Sequence, residues 1–247
     1  MFRSANKKEP YPGPAFKWLH QDIHSHLLPG IDDGSPDVGT SIKLLRALSD
    51  AGIKKFVCTP HIIGDMYRNT PLTINNALNV LQQACADANL DVNLSAAAEY
   101  MMDDYFLSLL RSKQPMQTIY KNYILTELSY AAPPSNLEEM AFEIQTSGYI
   151  PILAHPERYF YFHRKKDFYF HLKELGFLLQ VNLLSLTGYY GKSVAKAAGF
   201  LINNKLVDFT GTDLHHENHL QVLTAPDSLR LFDKHFSESY LNNFEEK

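Results

Sequence analysis

Short apolar runs alternate along the chain with stretches of helical period. Runs at 22–24, 55–58, 92–97, 123–127, 150–154, 178–181 and 207–210 have strand length and end in polar or turn-forming residues. Between them, the apolar spacing predicts helices over 36–51, 73–88, 137–147, 167–175 and 193–203. Helix-end signals agree with these spans. Asp37 or Ser35 can cap the first helix, and Gly52 follows its last turn. Ser135 ahead of Leu137-Glu138-Glu139 gives a capping-box pattern with Glu138, and Gly148 and Gly176 close two further helices. Strand–helix alternation with few long polar linkers predicts a parallel α/β architecture in one domain. About seven strands suit either a barrel or an open sheet, and periodicity alone does not choose between them.

The polar residues at the strand ends carry the chemistry. In a parallel α/β fold the C-terminal ends of all strands share one face, so residues placed there converge. The first run leads into His24-Ser25-His26, the second into Thr59-Pro60-His61, and the third into Ala98-Glu99. The later runs lead into Thr126-Glu127, His155-Pro156-Glu157-Arg158 and Gly211-Thr212-Asp213-Leu214-His215. Residues i and i+2 of an extended segment face one side, so His24 with His26, and Asp213 with His215, can approach a common metal. Taken alone, an H-x-H pair fits two unrelated histidines equally well. Glu127 lies inside an apolar run and would be a costly buried charge unless paired or coordinating, and Glu99 is similar. The proline after His155 is expected to hold that residue extended. Asp33 fits a turn former or helix cap as well as a ligand, and Asp32 competes with it for any ligand role. His216 and His219 adjoin the site, whereas His20, His163, His171 and His235 lack this placement.

Composition narrows the function classes. The 247 residues are 45% hydrophobic and 20% charged, enough for one large folded domain. A net charge of -4, with no basic stripe, argues against nucleic acid as a partner. No apolar run approaches a membrane span, and the N-terminal segment has no secretory h-region, so no membrane insertion and a cytoplasmic location are expected. Residues 1–18 read as an N-terminal extension and 19–247 as the domain. The two cysteines exclude thiolate phosphatase chemistry. Cys58 has its next arginine at Arg68, too far for a phosphate-cradling loop, and Cys85 lies in a helical stretch with no arginine nearby.

The motifs H-S-H-L-L-P-G-I-D-D-G, T-P-H, A-E-Y, the strand glutamate, H-P-E-R and G-T-D-L-H resemble the PHP (polymerase and histidinol phosphatase) family. They follow the family's motif order from Gln21 to His215, and the branch they resemble is the bacterial capsule and exopolysaccharide tyrosine phosphatases of CpsB/CapC type. The resemblance implies a distorted (β/α)7 barrel. It implies three divalent ions: one held by His24, His26, Glu99 and Asp213, a second by Glu99, Glu127 and His155, and a third by Asp33, His61 and His215. Manganese is favoured, and the N/O ligand set without thiolate also suits iron or zinc. Arg158 would bind phosphate. The sequence departs from several members in lacking a second arginine after Asp213-Leu214-His215, where His216 or His219 could substitute.

The implied activity is protein-tyrosine phosphatase, with a metal-bridging hydroxide attacking phosphorus. The implied substrate is a phosphotyrosine protein, a membrane-associated bacterial tyrosine kinase that controls polysaccharide export. The alternatives are a PHP phosphoesterase acting on a small ester such as histidinol phosphate, and a non-catalytic metal-stabilised phosphotyrosine-binding module. Tyr159-Phe160-Tyr161-Phe162 could stack on a tyrosine ring, or pack in the core. Nothing in the sequence assigns an oligomeric state.

Overall fold

A computed structural model describes residues 15–236 and 242–244. The chain runs through α1 (Val38–Asp50), β1 (Lys55–Cys58), β2 (His61–Ile63), β3 (Tyr67–Arg68), α2 (Pro71–Asp87), β4 (Asn93–Ala96), β5 (Glu99–Met101) and α3 (Asp104–Arg111). It continues through β6 (Tyr123–Glu127), α4 (Leu137–Thr146), β7 (Ile150–Ala154), α5 (Asp167–Glu174), β8 (Leu178–Asn182) and α6 (Leu183–Thr187). The last elements are α7 (Lys192–Asn203), β9 (Phe209–Gly211), α8 (Glu217–Leu223) and α9 (Pro226–Phe236).

The expected helices are present, with α3, α6, α8 and α9 in addition. Asp37 caps α1, accepting the Thr40 N–H at 2.8 Å. The expected Ser135 cap is not formed. α4 starts one residue later than that pattern requires, with Asn136 at the N-cap and no side-chain cap bond. Glu138 and Glu139 instead place charge in the first turn, where the helix dipole favours it. Gly148 and Gly176 close α4 and α5 at φ of 86° and 87°, a backbone region that only glycine enters without strain.

The strands close into a ring. A parallel ladder runs β5–β6–β7–β8–β9, with β2 beside β5 and β3 as an antiparallel edge. β1 pairs in parallel with β4, with Cys58 opposite Ala96. β2 and β5 continue that register, with His61 opposite Glu99. The two pairs are therefore one ladder interrupted at Pro60, which has no N–H to return a bond. The expected strand at 22–24 appears as isolated bridges, Asp22 to Phe56 on one side and Ser25 to Leu214 on the other. The Val57 N–H donates to Asp22 O at 2.8 Å, and the His26 N–H donates to Leu214 O at 3.0 Å. Segment 22–26 thus joins the first strand to the last, giving a distorted seven-stave α/β barrel.

Side-chain alternation divides the core in two. Ile23, Val57, Ala97, Leu125, Ile152 and Phe209 fill the barrel interior. Phe56, Ile124, Leu153, Leu179 and Val181 join the larger cluster with helix residues such as Leu44, Leu81, Ile144 and Leu201. At the N-terminal end of the staves, Phe244 stacks on Phe209 with ring centroids 4.9 Å apart. Buried Asn242 donates to Gln21 O at 2.8 Å and Thr210 O at 2.7 Å, and accepts the Thr210 N–H at 3.1 Å. Of the expected extension over 1–18, residues 1–14 lie outside the described residues. Ala15, Phe16 and Trp18 are buried in the larger cluster. Among the described residues, no helix is long and apolar enough to cross a membrane.

Candidate metal centre

The interior face of the barrel turns polar at the C-terminal ends of the staves. Two residues beyond Ala97 and Leu125 stand Glu99 and Glu127; four beyond Val57 and Phe209 stand His61 and Asp213. Alternation points Glu99, Glu127 and His61 inward above the apolar plug, and Asp213 joins them from just past the end of β9. His155 needs a different device. Following inward Ala154 it would face out of the barrel if extended, as its proline led one to expect. It is instead left-handed, at φ 38° and ψ 52°, with its N–H bonded to Gln180 O at 2.7 Å. That turn sends the imidazole inward to Glu99, Nε2 to Oε1 3.1 Å. Asp213 is left-handed as well, at φ 50°. Strained non-glycine residues of this kind persist where surrounding contacts fix them.

The nine side chains marked by sequence come together in four overlapping groups: His26, Asp33, His61 and His215; His24, His26 and Asp213; His24, Glu99 and His155; His61, Glu99 and Glu127. Within each group one ligand atom per residue lies within 4.8 Å of every other. This grouping cuts across the implied partition: His26 joins Asp33, His61 and His215, and His24 joins Glu99 and His155. His61 reaches Glu127 Oε1 at 2.9 Å as well as Asp33 Oδ1 at 3.4 Å, and Glu127 shares no group with His155. Asp33 is the exposed member, its side chain at 53%.

Supporting residues set the imidazole tautomers. His24 Nδ1 donates to Gln180 Oε1 at 2.7 Å, and His26 Nδ1 to Asp32 Oδ2 at 2.8 Å. His215 Nδ1 donates to Asp213 O at 2.9 Å. Each bond leaves the Nε2 lone pair as the free donor to a metal. His24 Nε2 then lies 3.3 Å from His26 Nε2, 3.3 Å from Glu99 Oε2 and 3.3 Å from Asp213 Oδ1. Such a set of facing lone pairs is repulsive without a cation or added protons. Glu99 Oε2, Glu127 Oε1, His61 Nδ1 and His155 Nδ1 are buried and make no aligned hydrogen bond, although His61 Nδ1 stands 2.9 Å from Glu127 Oε1 and 3.2 Å from Glu99 Oε2. Oxygen and imidazole nitrogen donors held apart in this way fit divalent ions.

Protonation shows the same charge demand. Burial works to lower His26, but the Asp32 carboxylate and bonds to Asp213 outweigh it and hold the imidazole well above its ordinary value. His61 rises to about 10, because Glu99, Asp33 and Glu127 outweigh burial and the repulsion of His26. Glu127 is raised by burial and by the Glu99 charge. Asp33 falls to about 2 through its bond from His61. Burial lowers His155 to about 4, so this imidazole is neutral. With only protons available, the carboxylates draw positive charge onto their neighbours.

A cavity of about 260 Å³ opens over the cluster, with Arg158 on its wall. Arg158 Nη1 donates to Asp213 Oδ2 at 2.9 Å, and its guanidinium lies over the rings of Tyr190 at 4.2 Å and Tyr130 at 5.0 Å. His216 and His219 line the same cavity. His219 Nδ1 lies 3.2 Å from Asp213 O and 3.4 Å from His215 N, and its tautomer sets which of the two it bonds. The aromatic run divides: Tyr159 and Phe162 are core, whereas Phe160 is 60% exposed.

Sequence reading missed the polar chain behind the cluster. Gln180 Nε2 donates to Asn182 Oδ1 at 2.9 Å, and Asn182 Nδ2 donates to Asp213 Oδ2 at 2.6 Å. His24 and Asp213 are thereby tied through β8. The signal was available as two amides at alternate positions of the apolar run Leu178–Asn182. Glu157 was also missed. Fully buried, it accepts from Asn182 N at 2.9 Å and Ser185 Oγ at 2.6 Å, and so fixes the 3₁₀ turn Pro156–Arg158 to β8 and α6.

A family model for capsular polysaccharide synthesis, CpsB/CapC, matches residues 20–245. The chain is 29% identical over 195 residues to the tyrosine-protein phosphatase YwqE of Bacillus subtilis, covering 79% of this chain and 77% of that one. It is 30% identical over 226 residues to CapC of Staphylococcus aureus, covering 90% and 88%. A solved structure from work on YwqE of Bacillus subtilis and CpsB of Streptococcus pneumoniae, described as unique metal-dependent tyrosine phosphatases, superposes with a TM-score of 0.79. That match has 28% identity and covers 88% of this chain and 87% of that one.

Proposed function

This chain belongs to the CpsB/CapC capsular polysaccharide synthesis family, and on that footing we propose that it is a metal-dependent protein-tyrosine phosphatase acting in capsule or exopolysaccharide synthesis. The observation that carries the reading is the inward cluster of His24, His26, His61, Glu99, Glu127, His155, Asp213 and His215 with Asp33 at its rim, set beside the Arg158 guanidinium.

The ions proposed are three, with manganese favoured and iron or zinc compatible with the donor set. When bound they would supply Lewis acidity toward a phosphate ester and acidify a water for attack on phosphorus. The chain's own contribution is placement. Asp213 and the two tyrosine rings hold Arg158 over the cavity, where its fork can take non-bridging phosphate oxygens. Gln180 and Asp32 fix the His24 and His26 rings, so donor positions are set before substrate arrives. The apolar plug below the cluster closes the barrel interior and lowers the local dielectric, which strengthens each electrostatic contact. The physiological substrate proposed is a membrane-associated tyrosine kinase, met from the cytoplasmic side.

The test is phosphate release from a phosphotyrosine peptide before and after chelation and manganese return, with elemental analysis of the purified protein. Activity should vanish on chelation, return with manganese, and exceed that on histidinol phosphate. It should survive thiol alkylation under native conditions, since Cys58 and Cys85 are both buried and burial pushes the Cys58 thiol to about 12. A chelator-insensitive, alkylation-sensitive activity would refute the proposal. Filled metal sites without phosphate release would favour a binding module.

A further inference from the structure

Beside the metal cavity lies a second cavity of about 310 Å³ with a mainly apolar lining: Tyr130, Arg158, Phe160, Tyr190 and Val194. Three of these, Tyr130, Arg158 and Tyr190, line the metal cavity as well, so the two spaces share a wall. The elements that form the cleft differ in origin. Tyr130 follows β6, Arg158 and Phe160 sit on the 3₁₀ turns after β7, and Tyr190 and Val194 flank the start of α7. Val194 is buried at 1% exposure and forms a fixed floor, while Phe160 and Tyr130 stand open at 60% and 46%.

We infer that this cleft receives the phenyl ring of the substrate's phosphotyrosine, and that it, more than the metal cavity, selects an aryl over an alkyl phosphate ester. The inference rests on the phosphatase reading above. A single ester oxygen joins phosphorus to the ring. A phosphate held over the cluster by Arg158 therefore puts its ring against whatever adjoins that arginine. The metal cavity is lined chiefly by carboxylates and imidazoles, with about as much polar as apolar surface, whereas the lining of the neighbouring cleft is mainly apolar. The neighbouring cleft offers three aromatic rings and a valine. Arg158 forms the junction. Its fork already points at Asp213, and its flat face already lies against Tyr190 and Tyr130, an environment in which a further ring can stack or meet an edge. A serine phosphate would reach the same metals and the same arginine but leave the cleft unfilled.

Phosphonates test this without chemistry, since they are not hydrolysed and leaving-group reactivity drops out. Binding of phenylphosphonate and of methylphosphonate to the manganese-loaded full chain is measured by calorimetry. Burying on the order of 50 Å² of ring surface should favour phenylphosphonate by about tenfold. Phe160→Ala and Phe160→Ser, at an exposed position, should remove most of that preference and leave the methylphosphonate affinity and the metal content unchanged. Equal affinity of wild type for both probes would overturn the inference, as would variants that weaken both probes alike. A clear phenyl preference in a protein that releases no phosphate from phosphotyrosine peptides supports the cleft and removes the phosphatase reading, so the two can fail separately.

Discussion

Asp32 and Asp33 are adjacent carboxylates with different predicted roles, and exchanging each for asparagine separates them. Asp32 Oδ2 accepts from His26 Nδ1 at 2.8 Å and from His61 N at 3.2 Å, while Oδ1 accepts from Gly34 N at 3.0 Å. It belongs to none of the four candidate metal groups, whereas Asp33 belongs to one. In Asp32→Asn one of the two oxygens becomes an amide that meets an N–H donor, and the charge that makes the His26 ring more basic is lost. Loss of such an orienting partner costs about 10- to 100-fold in metal affinity, or roughly 1.4 to 2.8 kcal/mol. The number of ions at saturation should stay the same. Asp33→Asn removes a half-exposed carboxylate from the group itself, and the expected outcome is one ion fewer per chain under the same conditions. The assay is competitive chelator titration for affinity with elemental analysis for stoichiometry, on both variants and wild type. If Asp32→Asn lost an ion while Asp33→Asn merely weakened binding, the assignment of the two carboxylates would be wrong.

Three further outcomes follow from the same geometry. Arg158→Ala should lower turnover of a phosphotyrosine peptide by about 10²- to 10³-fold, the usual cost of losing one positioned donor to a transition-state oxyanion. Its metal content should stay near normal, because Asn182 still holds Asp213, and co-loss of metal and activity would make the arginine structural. In metal-free protein His61 has its value raised from 6.5 to about 10, so its stabilising contribution is complete below pH 6.5 and is lost as pH rises toward 10. The melting-temperature gain on adding manganese should therefore grow between pH 6.5 and 9; a gain that is flat or falls across that range would contradict this origin of the shift. Asn242→Ala deletes three hydrogen bonds at the barrel base, two of them buried, and should cost about 2 to 4 kcal/mol in denaturant unfolding, with metal affinity unchanged.

The position of Glu99, Glu127, His61 and Asp213 at the ends of predicted strands was enough to place them on one face. A strand's side chains alternate locally, and parallel strands end on a common side whatever their order. The choice of barrel over open sheet came from resemblance, since a ring closes only when the first and last staves meet. That meeting, Ser25 beside Leu214, lies between residues distant in the chain and leaves no periodic trace. The strand expected at 22–24 pairs only through isolated bridges, Asp22 beside Phe56 and Ser25 beside Leu214.

The support around the cluster belongs to the tertiary structure for the same reason. Whether Asp32 or Asp33 faces the histidines depends on how one turn folds back onto the barrel. Whether His155 points in depends on a left-handed residue that its proline did not foretell. Gln180 and Asn182 read as oddities in an apolar strand until His24 and Asp213, from other staves, supply their partners. Residue type and strand-end position marked eight of the candidate ligands, because those are local facts, while the choice of Asp33 and the role of Arg158 came from the family resemblance. Only the folded chain decided which of them touch, what holds them, and that an aromatic cleft opens beside them, because those are distances between parts of the chain that no local pattern connects.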